Sequence, residues 1–245
     1  MPLPLKRRQY RQLGLVSRML CAERKVRLTS KPHPPSKKLW HPRPAALFLP
    51  PRSPKNTIPM SYTAGEVYHL YNQSNSYVRI FREAENYRFF LEKIRVHLLP
   101  VADVLCYCLM PDHFHLLIHV KPEGAALSTS IKPQSDPQGG AQYQTQVSHA
   151  LRILLSSYTR AYNRRYKNRG TLFRSRTNAK SVATTSYRLR CFRYIHENPV
   201  KDGLVQVATD YPHSSAAAWA GLCQGAICNY PAAERLIGVR RGRAA

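Results

Sequence analysis

The chain has no run of 18 or more apolar residues, so no segment reads as a membrane-spanning helix. Prolines and charges break up its basic beginning before the apolar centre of a secretory signal can form. The six cysteines (Cys21, Cys106, Cys108, Cys191, Cys223 and Cys228) include no Cys-x-x-Cys pair, which removes zinc ribbons from consideration. Cys106 and Cys108 alternate in a strand-like run and read as small buried thiols, in keeping with a reducing cytoplasm. A nucleotide-binding phosphate loop and a Gly-x-Ser-x-Gly elbow are both absent. So is the His-x-Glu with Pro-Cys-x-x-Cys that a nucleobase deaminase needs. Acidic residues are scarce. The 245 residues hold 13 Asp and Glu against 38 Lys and Arg, a formal charge of +25. Charge of that size concerns partners more than fold, and nucleic acid is the polyanion it fits, with a solvated basic surface or a ribosome-associated protein as the alternatives.

The excess of positive charge is uneven. Residues 1–59 carry 14 Lys and Arg against one acid, Glu23, and 11 of the 19 prolines, with no helical or strand period. They read as a disordered basic arm. An organelle transit peptide is a second reading, and a third takes Met60, directly before the first patterned segment, as the true start. Residues 60–220 then form the domain and residues 221–245 a basic tail. Within the domain, residues 66–72 alternate as a strand, and residues 84–99 place Tyr87, Phe90, Leu91, Ile94 and Leu98 on one helical stripe ended by Pro100. Residues 104–110 and 113–120 read as a hairpin around Pro111-Asp112. Residues 121–143, rich in Pro, Gly, Ser and Gln, read as a long flexible loop. Residues 147–166 are helical, 171–183 irregular or extended, and 186–196 helical until Asn198-Pro199 stops them. A short helix is expected around 214–221. This order predicts an α+β fold with an antiparallel sheet of four or five strands, helices on one face and the histidine strand in a central position.

Strand alternation puts His113, His115, Leu117 and His119 on one face of residues 113–120, and Phe114, Leu116, Ile118 and Val120 on the other. The second set is wholly apolar and belongs to a core. His113 and His115 fall roughly 7 Å apart along the strand, close enough to share one metal ion. A lone His-x-His is also common as a satisfied or exposed pair. A histidine-triad hydrolase is set aside, because the third histidine, His119, follows His115 by four residues. Downstream, Arg160, Arg164, Arg165, Lys167, Arg169, Arg174 and Arg176 cluster with Tyr162, Tyr166 and Phe173 between them. Cations would neutralise phosphates and aromatics would stack on unpaired bases, so DNA binding is preferred over a solvated basic face. Tyr158, Tyr162 and Tyr166 form an i, i+4, i+8 stripe that suits a core, a stacking surface or a nucleophile equally, so spacing alone ranks Tyr158 and Tyr194 together as nucleophiles.

Four stretches in register carry a resemblance. The stretch Cys108-Leu109-Met110-Pro111-Asp112-His113-Phe114-His115-Leu116-Leu117-Ile118 resembles the histidine–hydrophobic–histidine strand of the single-tyrosine transposases. Residues 157–166 resemble a basic, Tyr-rich helix, and residues 170–176 a Gly-x-Leu-Phe-x-x-Arg segment. Residues 193–205 resemble a Tyr-Ile-His-x-Asn-Pro-Val-Lys-x-Gly-Leu-Val signature. Together, from about Met60 to Trp219, they are similar to the REP-associated tyrosine transposases.

The resemblance implies that Tyr194 is the nucleophile, on a C-terminal helix, and that Asn198 is a third metal ligand beside His113 and His115. A helix-stop residue before Pro199 is the other reading of Asn198. It implies a divalent ion, Mg²⁺ or Mn²⁺, although two imidazoles and an amide suit manganese or zinc better than magnesium. The implied activity is metal-dependent nicking and joining of single-stranded or hairpin DNA at repeat palindromes through a 5′-phosphotyrosine. The implied setting is the bacterial cytoplasm at the nucleoid, with no membrane partner, as a monomer or homodimer. The alternatives are a catalytically inactive DNA- or RNA-binding module of RNA-recognition-like fold and a metal-dependent phosphoesterase that uses water.

Overall fold

The computed structural model describes residues 61–75, 78–127, 134–135, 141–142, 145–225 and 227–243. The expected basic arm, and with it Met60 as a start, lies outside them. The sheet is organised around β3 (His113–Val120), which pairs antiparallel with β1 (Val67–Gln73) on one side and β2 (Ala102–Leu109) on the other. A short ladder of β4 (Gln134–Ser135) with β5 (Ala141–Gln142) falls in the segment read as a loop, much of which lies outside the described residues. β6 (Asn178–Ser181) pairs antiparallel with β1 and completes the four-stranded order β2-β3-β1-β6. Between β1 and β2 runs α1 (Ala84–Lys93), which continues into a π-helical turn at Ile94–Leu98. The turn α2 (Pro122–Ala125) follows β3, and α3 (Gln146–Tyr166) precedes β6. With the small ladder set aside, the chain reads β-α-β-β-α-β, the ferredoxin-like α+β arrangement, with the histidine strand in the centre.

Each face of the sheet carries its own core. Leu70, Phe114, Leu116 and Ile118 pack against Phe90, Ile94 and Leu98 of α1 and Leu154 and Tyr158 of α3. This is the apolar alternation of residues 113–120 meeting the helical stripe of residues 84–99. Helices were expected on one face, and the other face is covered as well. Val67, Leu105, Cys106, Cys108 and Leu117 pack against α4 (Thr185–Lys201), Trp219 of α5 (Ala216–Trp219) and Ala232, Ala233 and Ile237 of α6 (Tyr230–Ile237). The physical reason lies in β2, where the register shifts between Val104 and Cys106 and turns Leu105 and Cys106 to the same side. That bulge enlarges the apolar area of a face that alternation alone would have left half polar. The buried Trp219 indole donates to the Leu105 carbonyl at 3.1 Å, fastening the cover to the bulge. Residues 221–245 therefore do more than trail as a basic tail, since α6 within them is part of this second core.

Asn198-Pro199 does not stop α4, which runs on to Lys201. A proline in a helix interior leaves carbonyls of the preceding turn without donors. The Asn198 amide nitrogen supplies one, donating to the carbonyls of Tyr194 at 2.7 Å and Ile195 at 3.5 Å. The helix ends instead at Gly203, whose φ of +68° is the left-handed geometry a Schellman turn requires. There Gly203 N donates to Val200 O at 3.0 Å and Leu204 N to Pro199 O at 2.8 Å. Among the described residues, no helix is long and apolar enough to cross a membrane.

Candidate active site

The histidine face of the sheet is built by register. His115 lies opposite Tyr71 of β1 and Cys108 of β2, His113 opposite Gln73, and Leu117 opposite His69. On the far side of β1, His69 faces Lys180 of β6. Residues 113 and 115 are on the same side of one strand, and their rings lie 5.1 Å apart, edge to face.

Both imidazoles are held by one nitrogen. His113 Nδ1 is 2.7 Å from Asp112 Oδ1, and His115 Nδ1 is 2.9 Å from His69 Nε2. In each ring Nε2 is the nitrogen that these contacts leave over. This is how metal-binding histidines are oriented, with the second nitrogen bonded to a carboxylate or another acceptor. Burial, together with the neighbouring imidazoles of His69 and His113, holds His115 well below the ordinary histidine range. Burial, with Lys180 adding to it, lowers His69 to about 4. Both rings are therefore neutral at physiological pH, and a neutral imidazole has the lone pair a metal ligand needs.

α4 brings the tyrosine to this face. Cys191 and Ile195 are buried against the sheet, and Tyr194 is left 37% exposed at the edge of that contact. Its ring lies 5.7 Å from the His115 ring and 6.2 Å from the His69 ring, edge to face with both. Burial, and then the Asp202 carboxylate, raise its phenol above the ordinary tyrosine value. In the protein alone Tyr194 is thus a neutral phenol, with the Lys201 ammonium 4.8 Å from its ring centre. Asn198 is one turn further along α4 and buried. Its amide nitrogen is committed to the helix carbonyls, so its oxygen is the end available to a ligand. Asn198 thus supplies the donor that Pro199 lacks, through its nitrogen alone.

No protein-family model matches the chain, and no curated protein matches its sequence. Among solved structures, that of the REP-associated tyrosine transposase bound to a REP hairpin is similar over 65% of this chain and 82% of that one, with a TM-score of 0.49 and 18% identity.

The structure separates the two tyrosines that spacing left level. Tyr158 is buried in the core of the opposite sheet face, and its hydroxyl donates to the Ile80 carbonyl at 2.6 Å. Tyr162 and Tyr166, read as base-stacking residues, are also engaged. Tyr162 is buried and donates to the Arg79 carbonyl at 2.7 Å, and Tyr166 donates to Glu83 at 2.6 Å. The guanidinium of Arg82 lies over both rings, 5.4 and 4.6 Å from their centres. An i, i+4, i+8 stripe on α3 is the stripe that meets α1, so packing takes these rings and stacking on bases is overturned for Tyr162. Arg165 is paired with Glu83 at 2.7 Å and Glu85 at 2.9 Å. Arg160, Arg164, Lys167 and Arg169 are exposed on or just after α3, whose helix lies across the sheet from the histidines. Of the predicted cations, Arg174 comes to the site, since its guanidinium faces the side chain of Gln73, the cross-strand partner of His113. Arg176 is exposed two residues beyond it. Sequence reasoning passed over His69, Asp112 as a partner of His113, Lys180 and Lys201. His69 was visible as a histidine within an alternating strand, but which residue it would meet depends on strand register.

The donor set fits a divalent ion chemically. Two imidazoles with Nε2 left over and one amide oxygen would make a mixed nitrogen and oxygen set, better suited to manganese than to magnesium. Among the described residues no three His, Cys, Asp or Glu side chains group around a metal position, so such an ion would complete its shell from substrate and water.

Proposed function

We propose that this chain is a DNA strand-transfer enzyme of the tyrosine transposase type, acting on single-stranded or hairpin DNA. The observation that carries the reading is the meeting of Tyr194, from α4, with His115, from β3, at 5.7 Å between ring centres, although 79 positions separate them in the sequence. His113, His115 and the oxygen of Asn198 would hold a Mn²⁺ or Mg²⁺ ion. Such an ion supplies Lewis acidity toward the non-bridging oxygens of a phosphodiester. His69 and Asp112 hold the two ligand rings in the tautomer that keeps each Nε2 lone pair available. Tyr194 Oη attacks phosphorus, the bond from phosphorus to the 3′ oxygen breaks, and the phenol proton ends on the departing 3′-hydroxyl. The 5′ phosphate then remains on Tyr194 as an ester. Attack by a 3′-hydroxyl reverses these bond changes and joins strands, so the bond energy is conserved and no nucleoside triphosphate is needed. Arg174, Lys180 and Lys201 surround the tyrosine and histidines with positive charge suited to the strand.

The test is covalent capture. The full chain incubated with Mn²⁺ and hairpin oligonucleotides is expected to form a protein–DNA adduct on a denaturing gel. Tyr194→Phe is expected to bind the same DNA without forming it. Cleavage undiminished in that variant would replace this reading with a phosphoesterase that uses water. Binding with no adduct under any divalent ion would replace it with a binding module.

A further inference from the structure

A second concentration of positive charge lies on the flank of α4 that meets the C-terminal segment. A cavity of about 290 Å³ is lined by Arg193 of α4 and by Arg240 and Arg243 from the chain after α6, with Leu189 and Phe192 also in its wall. Among the described residues, no carboxylate lines it. Arginines near by have structural duties. Arg188 donates to the carbonyls of Val182 at 2.8 Å and Leu236 at 3.4 Å, and Arg241 to those of Ala218 at 3.0 Å and Cys223 at 2.7 Å. The side chains of Arg193, Arg240 and Arg243 make no hydrogen bond or ion pair with any described residue. The end of α6 at Ile237 offers a partial negative charge of only about one half, against three full positive ones. Three exposed guanidiniums with no partner among the described residues thus line one small cavity, a concentration of positive charge that an anion would neutralise.

The size of the cavity and its chemistry narrow the anion. At 290 Å³ it lies at the lower limit of small-ligand pockets, enough for a phosphate and part of its sugar. Guanidiniums offer paired N–H donors that match the oxygens of a phosphate. Its place narrows the source. Arg193 immediately precedes Tyr194, and successive residues of a helix diverge by about 100°, so the cavity and the phenol occupy adjoining flanks of one helix. We propose that this is a phosphate-binding pocket that takes a backbone phosphodiester of the DNA strand a nucleotide or two from the one at Tyr194. The proposal rests on the reading of the chain as a DNA-binding enzyme.

The test uses the full chain carrying Tyr194→Phe, so that binding is read without covalent capture. Affinity for a fluorescent single-stranded oligonucleotide is measured across a salt series for two triple variants. One is Arg193→Gln, Arg240→Gln, Arg243→Gln. The other, a charge-matched control, is Arg88→Gln, Lys93→Gln, Arg152→Gln. The pocket variant is expected to bind about tenfold more weakly than the control. The slope of log K against log salt should be smaller by about 0.7 for the one lost phosphate contact. Equal affinity and slope in the two triples overturn the proposal. If inorganic phosphate binds the parent and not the pocket variant while oligonucleotide affinity is unchanged, the pocket serves a free phosphate and the strand assignment falls. Should the Arg193 substitution disturb α4, Arg240→Gln with Arg243→Gln in the tail is expected to give the same direction of change, and its failure to do so is equally decisive. Adduct formation by the unsubstituted chain is read separately. An adduct with no pocket effect sinks the pocket alone, and absence of DNA binding in the parent sinks both readings.

Discussion

Replacing His69 with leucine leaves the ring of His115 in place but takes away the atom that holds it. His69 Nε2 is 2.9 Å from His115 Nδ1, and His115 is only 6% exposed, so water cannot substitute. If His115 is to offer Nε2 to a metal, its Nδ1 must carry the proton and donate it, which makes His69 the acceptor and a positioning residue. Without that acceptor a buried N–H is left unsatisfied, at a cost of about 1–3 kcal/mol. The imidazole is also released to place its proton on Nε2, the tautomer that cannot bind a metal through that nitrogen. Loss of such an outer partner typically weakens metal binding about 10- to 100-fold. His69→Leu is therefore expected to lower Mn²⁺ affinity by that factor in a calorimetric titration, and to lower stability to denaturant by about 1–3 kcal/mol. His69→Gln, whose amide oxygen accepts in nearly the same position, is expected to recover most of the metal affinity. Native affinity in the leucine variant would refute the reasoning. So would a glutamine variant as weak as the leucine one, because ring volume and not the acceptor would then be what matters.

Tyr158→Phe removes a buried hydroxyl bonded to the Ile80 carbonyl and should cost about 1 kcal/mol in denaturant unfolding, while adduct formation per folded molecule stays unchanged. Gly203→Ala adds a side chain that meets no atom within 4 Å, so its cost is that of the left-handed backbone, about 1–2 kcal/mol. Chemical denaturation measures it, and a neutral result would mean that the Schellman turn does not end α4. Burial lowers His196 to about 3, and its Nε2 lies 2.7 Å from Ser215 Oγ. Folded His196 stays neutral while the unfolded chain takes a proton below 6.5. Its contribution to stability is thus complete above pH 6.5 and declines by roughly 1.4 kcal/mol per pH unit as pH falls from there toward 3. His196→Gln should remove that share of the slope in denaturant titrations across pH, and an unchanged slope would count against it.

Much of the molecule is legible in the alternation of its residues. Phe114, Leu116, Ile118 and Val120 announce a buried face and so fix the direction of His113 and His115. Tyr87, Phe90, Ile94 and Leu98 likewise announce the stripe that covers it. Pro199 misled because a proline's effect on a helix depends on whether another donor reaches the carbonyls it leaves, and here the preceding Asn198 does. Tyr162 misled because a stripe at helical spacing is the same pattern whether it meets a core or a ligand. The second face of the sheet escaped notice because a bulge at Leu105 changes which side of β2 is apolar, and one irregular residue leaves little periodic signal.

By itself the sequence determined the charge of the protein, the order of its elements and which side of β3 bears the histidines, since these follow from composition and from local backbone geometry. Only the tertiary structure decided that His69 would meet His115, that Tyr158 would be buried in the opposite core while Tyr194, named by the resemblance, came to the histidines, and that Arg193, Arg240 and Arg243 would surround one cavity. Those are contacts between segments far apart in the chain. They are set by strand register and by the helix that covers the second sheet face, and no short-range pattern encodes either.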